Sequence, residues 1–195
     1  TMLINVEAGS WFFLGEIFTN LPLPLDQPHT SKHCGTCTAC LDICPTAAFT
    51  GPFQLDARKC ISYLTIEHHG SIDPVLRPLM GNRIFGCDDC QLCCPWNKFA
   101  QATDEGDFRP RHGLADAQLV ELLLWDEEMF LAKTAGSAIR RIGYERWLRN
   151  VAVALGNAPR SDAVINALLQ RRDFPSQLVQ EHVTWALQQH DANPV

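Results

Sequence analysis

The residues whose types and spacing could do chemistry are nine cysteines, none of which lies in the last hundred residues. The first four form the motif Cys34-x2-Cys37-x2-Cys40-x3-Cys44, and a proline follows directly. This is the ligand run of bacterial ferredoxins, in which three closely spaced thiolates hold one [4Fe–4S] cluster and the fourth reaches a second cluster. The spacing therefore predicts two clusters and a role in electron transfer.

The remaining cysteines form a second, irregular motif, which allows two alignments with the first. It consists of a lone Cys60 and the later run Cys87-x2-Cys90-x2-Cys93-Cys94 before a proline. Aligned from its first cysteine, the run reaches its Cys-Pro pair three residues too early. Aligned from the proline, it keeps the Cys-x2-Cys-x3-Cys-Pro spacing and leaves a ligand role for Cys60. We favour the second alignment.

The favoured alignment divides eight cysteines between two clusters. The predicted ligands of cluster one are Cys34, Cys37, Cys40 and Cys94. The predicted ligands of cluster two are Cys44, Cys60, Cys87 and Cys90, which leaves Cys93 over. Zinc also binds Cys-x2-Cys pairs, but a zinc ribbon has no use for a third cysteine at the same interval followed by Cys-Pro. The clustering at ligand spacing, with no export pattern, favours metal in the reducing cytoplasm over disulfides.

Three segments must position these cysteines, and together they predict an α+β fold. Residues 1–31 contain an apolar, β-like run at 10–18 and are predicted to form a β-rich N-terminal flank. Residues 32–110 are predicted to form a two-cluster ferredoxin-like domain. Residues 111–195 lack cysteine, have few glycines and show helical periodicity, so we expect a HEAT-like helical module there.

The helical module is predicted to contain five helices, with Asp116 and Ser161 as N-caps and a stop signal at 156–159. The predicted helices span about 116–125, 127–134, 137–156, 161–171 and 175–189. The longest apolar stretches, at 11–14 and 119–125, are far too short to cross a bilayer, so we expect no membrane partner.

Charge is unevenly distributed along the chain. The net charge is −6, which by itself does not favour a nucleic-acid partner. Residues 133–172, however, carry eight basic and two acidic side chains. Guanidinium groups suit phosphates because they donate in pairs and stay charged. Tyr144 and Trp147 lie among these arginines and could stack on an exposed base.

Motifs for other chemistry are missing from this sequence. It has no Walker A motif, no Gly-x-Gly-x-x-Gly after a strand and no His-Glu-x-x-His. The hypotheses to separate are a redox enzyme, a ferredoxin-like electron carrier with a docking module, and a corrinoid reductase of a small molecule, the last of which rests on the family resemblance given next.

At this point the sequence resembles a known family, the cobalamin-dependent epoxyqueuosine reductases, specifically their C-terminal portion. The resemblance runs through nearly the whole chain and rests on six motifs, EAGSWFFLGE at 7–16, CGTCTACLDICPT at 34–46, CISYLTIE at 60–67, GCDDCQLCCPW at 86–96, GSAIRR at 136–141 and RNVAVALGN at 149–157. It agrees with the ligand assignment reached from the spacing.

The resemblance implies that electrons pass from an external low-potential donor through two [4Fe–4S] clusters to cobalamin, which supports reduction of epoxyqueuosine to queuosine in tRNA. It implies that Ser62, Asp88 and Asp89 line the corrinoid. Residues 1–31 would then be the end of a truncated corrinoid-binding α/β domain. The acidic proton donor of the family has no counterpart here, so we expect it in a missing N-terminal half. We expect a monomer.

The resemblance also assigns the helical module to tRNA docking. Its predicted phosphate contacts are Arg140, Arg141, Arg146 and Arg149.

Overall fold

The computed structural model describes residues 2–28, 30 and 33–192, and helices dominate it. One antiparallel pair of strands, β1 (Phe49–Gly51) and β2 (Gln54–Leu55), pairs Phe49 with Leu55 and Gly51 with Gln54. The α-helices in this part of the chain are α1 (Ala39–Asp42), α2 (Ile61–Ile66), α3 (Asp89–Leu92), α4 (Leu119–Leu124), α5 (Glu127–Lys133), α6 (Gly143–Gly156), α7 (Asp162–Arg171) and α8 (Gln177–Ala192).

The chain divides into two compact units. Unit one comprises Thr1–Cys44, Phe49–Leu55 and Asp88–Asp104, and unit two comprises Pro45–Ala48, Asp56–Cys87 and Glu105–Val195. These units do not coincide with the three predicted segments at 1–31, 32–110 and 111–195. Residues 56–87, which we assigned to the ferredoxin-like domain, fold together with the helical module.

Unit two has a continuous hydrophobic core centred on α6, which packs against α4, α5 and α8. Trp147 on α6 is fully buried, stacks on Trp125 and donates its indole N–H to the carbonyl of Leu122. Phe130 of α5 packs against the same indole ring. Residues 147–156 of α6 are all buried, because the helix lies at the centre of this core with neighbours on every side.

The end of α6 passes very close to α8. A Cβ built on Gly156 would lie 2.5 Å from a ring carbon of Trp185 and 3.0 Å from the Cα of Ala186. Only a residue without a side chain fits at this crossing, so the glycine serves packing as well as ending the helix.

The predicted helices are all present in unit two, with shifted bounds. Ser161 caps α7 as predicted, and its hydroxyl accepts a hydrogen bond from the N–H of Val164. The prediction that Asp116 caps α4 is wrong, since Gln118 occupies that position. The single helix predicted at 137–156 is two elements, a 3₁₀ helix at Ala138–Ile142 and then α6. Gly143 joins them in the left-handed region, with φ of 74°.

The N-terminal flank does not form the predicted strands in its described residues. It contains one isolated bridge between Asn5 and Gly9, and the apolar run at 10–18 is irregular and largely exposed. A strand requires a neighbour that pairs with its backbone N–H and C=O groups. Among the described residues no strand pairs with this run, and an apolar pattern alone does not supply such a strand.

Candidate iron–sulfur site

The first cysteine motif is a tight turn followed by one helical turn. The N–H of Cys37 donates to the carbonyl of Cys34 at 2.9 Å, and Gly35 in this turn has a φ of 52°. Cys40 lies in α1, where the Thr38 hydroxyl donates to the Asp42 carboxylate at 2.6 Å. Local hydrogen bonds thus shape the backbone around three cysteines that lie within seven residues of sequence.

The second motif has a similar local structure. Asp88 precedes α3 in the left-handed region with φ of 60°, and Cys90 lies within α3. Cys94 then leads into a 3₁₀ helix at Pro95–Phe99, whose first residue needs no backbone donor. The proline therefore turns the chain directly after the last cysteine, as in the first motif.

A cavity of about 120 Å³ in unit one collects four of the cysteines. Its lining residues are Met2, Ile4, Cys34, Cys37, Ala39, Cys40, Cys94, Pro95 and Trp96. The cysteines are the four predicted ligands of cluster one, and the other lining residues are apolar. Four cysteines that line one apolar pocket suit a [4Fe–4S] cluster, which is held by four thiolates and tuned by the hydrophobic shell around it.

Cys93 differs from its neighbour Cys94. It is not among the described residues that line the cavity, and its thiol contacts the carbonyl of Cys90 at 3.5 Å. Burial raises the pKa of the Cys93 thiol, and the nearby Cys40 and Cys94 add to this rise. Within unit one, Cys93 therefore lies outside the lining of the cavity that Cys94 helps to form.

Asn97 ties the N-terminal flank to the second motif within unit one. Its side-chain oxygen accepts from the N–H of Ser10 at 2.6 Å and from the Ser10 hydroxyl at 3.1 Å. Its amide nitrogen donates to the carbonyl of Gln91. Gly9 has a φ of 76° and lies against Asn97 so closely that a Cβ would fall 2.5 Å from its amide oxygen. This contact brings the flank beside the cysteines.

Cys60 and Cys87 belong to unit two, where α2 and its surroundings hold them. Cys60 is the N-cap residue of α2, and its carbonyl accepts from the N–H of Leu64 at 2.9 Å. Cys87 follows Gly86, whose N–H donates to the hydroxyl of Thr65 at 2.9 Å. Cys44 and Cys90, the other predicted ligands of cluster two, are in unit one.

The C-terminal end of α2 is capped by side chains of α6. Arg149 donates to the carbonyl of Leu64 at 2.7 Å, Asn150 to that of Thr65 at 2.8 Å, and Arg146 to that of Ile66 at 3.0 Å. The last carbonyls of a helix have no partner within it, and cations are favourable there because they oppose the negative end of the helix dipole.

These contacts correct one of the predicted tRNA contacts, that of Arg149. Arg149 is fully buried, and it also donates to the carbonyls of His68 and Gly70. Burial lowers its pKa to about 10, and neighbouring Arg146 adds to this shift, so Arg149 stays charged at neutral pH. A buried guanidinium bound to carbonyls is not available to a phosphate. Arg146 is partly buried and likewise bonded to backbone carbonyls.

The other predicted RNA-contacting residues divide in the same way. Arg140 and Arg141 are exposed, and Arg141 forms an ion pair with Glu67. Trp147 is fully buried and cannot stack on a base, while the Tyr144 hydroxyl donates to the carbonyl of Trp125. Sequence spacing could not separate these cases, because the partners of the buried side chains are distant in the chain.

The residues predicted to line a corrinoid lie in both units. Ser62 is on α2 in unit two and partly buried, whereas Asp88 and Asp89 start α3 in unit one. Asp88 is exposed and Asp89 partly buried.

Within the described residues, no three or more His, Cys, Asp or Glu side chains are grouped closely enough to hold a single metal ion. The four cysteines therefore line the cavity without surrounding one point in it. None of the helices in the described residues combines the length and hydropathy needed to span a membrane.

A family model indicates the class of domain that the cysteines belong to. Residues 33–97 match the family model described as "4Fe-4S double cluster binding domain". The chain therefore contains a 4Fe–4S cluster-binding domain, and this domain carries all nine cysteines.

The particular relatives are epoxyqueuosine reductases. The chain is 64% identical to the epoxyqueuosine reductase of Pseudomonas aeruginosa over 190 residues, which are 97% of this chain and 53% of the relative. It is 57% identical to that of Escherichia coli over 190 residues, 97% of this chain and 49% of the relative. The resemblance predicted from the motifs is confirmed, and the chain spans about half the length of the curated relatives it matches.

Solved structures agree with the sequence comparison. An epoxyqueuosine reductase from Bacillus subtilis matches with a TM-score of 0.88 and 32% identity, over 96% of this chain and 50% of that one. A crystal structure of epoxyqueuosine reductase with an epoxyqueuosine-modified tRNA-Tyr stem loop matches with the same score, identity and coverage.

Proposed function

We propose that this chain holds two [4Fe–4S] clusters and is the electron-relay and tRNA-docking portion of an epoxyqueuosine reductase. Cluster one is held by Cys34, Cys37, Cys40 and Cys94. Cluster two is held by Cys44, Cys60, Cys87 and Cys90. The observation that carries the proposal is the apolar cavity that all four predicted ligands of cluster one line.

Opening the epoxide to an alkene consumes two electrons and two protons and releases one water. The clusters supply the electrons one at a time from an external low-potential donor, and cobalamin, when bound, supplies the reductive chemistry. Ser62, Asp88 and Asp89 are the residues of this chain that we place beside the corrinoid. We assign the proton donor to a part of the enzyme outside this chain.

Docking of tRNA falls to the helical part of unit two, which we propose to be HEAT-like. Arg140 and Arg141 are the exposed arginines of the predicted set, and the relative solved with a modified tRNA stem loop supports this partner. Arg149 is left out of this surface because it is fully buried. Arg146 is partly buried and stays a proposed contact, although its donors already reach backbone carbonyls. A cytoplasmic location follows from a tRNA substrate and reduced cysteines.

The ligand sets are tested by anaerobic reconstitution of the chain and measurement of bound iron. Two intact clusters hold about eight irons per chain. Cys93→Ser should keep about eight, because Cys93 is outside both sets, whereas Cys60→Ser should lose a cluster. The opposite result would support the alignment of the second motif from its first cysteine.

The tRNA assignment is tested by charge reversal at low salt. Arg140/Arg141→Glu should weaken binding of a tRNA stem loop, because each lost phosphate contact removes a released counterion. Arg109→Glu is the control for an added negative charge, since Arg109 is exposed and is not among the predicted contacts. Equal affinities for the two variants would remove Arg140 and Arg141 from the interface.

The reaction itself is tested with the full-length enzyme, reconstituted with iron, sulfide and cobalamin. It should convert epoxyqueuosine to queuosine in tRNA when a low-potential donor is present. Absence of conversion with both cofactors bound would leave this chain as a ferredoxin-like electron carrier.

A further inference from the structure

The segment that carries Cys87 is fastened to the helix that begins at Cys60. Thr65 is fully buried near the end of α2. Its hydroxyl donates to the carbonyl of Ile61 at 2.8 Å and accepts from the N–H of Gly86 at 2.9 Å. One hydroxyl, as donor and acceptor at once, thus joins the backbone of α2 to the residue directly before Cys87.

Asn150 of α6 makes a second bridge between the same two segments. Its amide nitrogen donates to the carbonyl of Thr65 at 2.8 Å and to that of Ile84 at 2.9 Å. Its amide oxygen accepts two hydrogen bonds from Arg149, at 3.0 and 2.9 Å. Because a guanidinium can only donate, Arg149 fixes the orientation of the amide. Asn150 is fully buried, so water cannot substitute for these bonds.

The bridges are rigid at both ends. Cys60 caps α2, and the helix transmits its position to Thr65 through backbone hydrogen bonds. Gly86 has a φ of 76°, a conformation that glycine adopts freely and that turns the chain into Cys87. The distance between the two cysteines is therefore set by a short path of buried contacts, and the 26 residues between them in sequence do not set it.

We infer that Thr65 and Asn150 are positioning residues that preset the separation of the Cys60 and Cys87 thiolates for a cluster. The inference rests on the proposed ligand set, in which both cysteines bind cluster two. A cubane is a rigid body that needs its thiolates at fixed places, and ordering a long loop costs conformational entropy. When unit two folds, it orders this loop before the cluster is inserted, so cluster binding does not have to.

The sharpest test is the pair Thr65→Val and Thr65→Ser. Valine keeps nearly the same shape and loses the hydroxyl, whereas serine keeps the hydroxyl. In Thr65→Val the Gly86 amide should exchange hydrogen about five- to tenfold faster, the equivalent of one net hydrogen bond. Bound iron after reconstitution should fall from about eight toward about four. Thr65→Ser should stay close to the unchanged chain in both measurements.

Asn157 provides a matched control for Asn150. It also donates from its amide nitrogen to two backbone carbonyls, those of Arg77 and Gly81, at 2.8 and 3.1 Å. These carbonyls are not adjacent to a cysteine. Asn150→Leu should lose the electron paramagnetic resonance signal of one reduced cluster or shift its midpoint potential, while Asn157→Leu should keep both signals. A general loss of stability would affect both variants alike.

Three outcomes decide between the inference and the function it rests on. If Thr65→Val and Asn150→Leu keep about eight irons with unchanged potentials, the inference is overturned. If Cys60→Ser also keeps all its iron, the proposed ligand set fails with it. If Cys60→Ser loses iron and Thr65→Val does so without loss of helix content, both stand. Should Asn150→Leu fold poorly, the comparison of valine with serine at position 65 gives the answer.

Discussion

Unit two buries Trp147 and Phe130 completely, whereas unit one leaves Ile17 94% and Phe18 91% exposed. Among the described residues of unit one, Gly9 and Ser10 alone are buried. Unit two is therefore held by its own hydrophobic core. In unit one the contacts converge on Asn97 and on the cysteine cavity, so we expect much of its order to depend on a bound cluster, as in other small metal-binding domains.

The largest effect that would test this comparison comes from deleting one aromatic ring in each unit. Phe130→Ala should lower the free energy of unfolding by about 3–5 kcal/mol, because it opens a cavity in the core. Phe18→Ala removes the same atoms from an exposed position and should change it by less than about 0.5 kcal/mol. Urea unfolding of the cluster-free chain, followed by circular dichroism, measures both. Similar losses of unfolding free energy in the two variants would contradict the view that a hydrophobic core stabilises unit two but not unit one.

The next effect is a loss of stability in acid, caused by His182 in unit two. Its Nε2 accepts from the N–H of Ile72, so its Nδ1 donates to the carbonyl of Leu178 and the ring is neutral. Burial lowers its pKa from 6.5 to about 4. Near it, Arg77 opposes and Glu181 favours the protonated ring.

Because the pKa of His182 is lower in the folded state, the unfolded chain binds its proton first as pH falls. Stability should be complete above about pH 6.5 and should decline by about 3 kcal/mol as the pH approaches 4. Unfolding curves at several pH values measure this slope. His182→Gln should flatten it, while His69→Gln, at an exposed position, should leave it as it is. An unchanged slope in His182→Gln would assign the acid sensitivity to other groups.

A smaller effect is expected at the crossing of α6 and α8. Gly156→Ala forces a methyl group against Trp185 and should lower the free energy of unfolding by about 1–3 kcal/mol. Gly106→Ala is the control, since no atom lies within 4 Å of its added Cβ. A thermal unfolding scan should show a lower midpoint for the first variant and no loss for the second. Equal midpoints would mean that the two helices can separate without cost.

The smallest signal should come from removing iron. Unit one has just α1 and α3 as α-helices in its described residues, four residues each. A chelator should therefore change the far-ultraviolet circular dichroism little, yet should raise hydrogen exchange across unit one and leave α6 protected. Loss of protection in α6 would show that the core of unit two also depends on a cluster.

Local features of this chain could be predicted from sequence, since short-range chemistry decides them. The grouping of Cys34, Cys37 and Cys40 follows from spacing within a few residues, whereas the one-turn helices that hold Cys40 and Cys90 were not predicted. Ser161 as a cap and the stop after Gly156 follow from hydrogen bonding within one turn. The β-like run of the flank was predicted wrongly, because a strand depends on a partner that apolar alternation does not supply.

The sequence by itself determined the cysteine motifs and the kind of cofactor they suit, since both depend on residue type and spacing along the backbone. Only the tertiary structure decided what the arginines do. Arg149 and Arg146 have the composition of a phosphate-binding surface, but their donors reach carbonyls about 80 residues away at the end of α2. A guanidinium takes its role from the acceptors around it, and long-range packing chooses those acceptors.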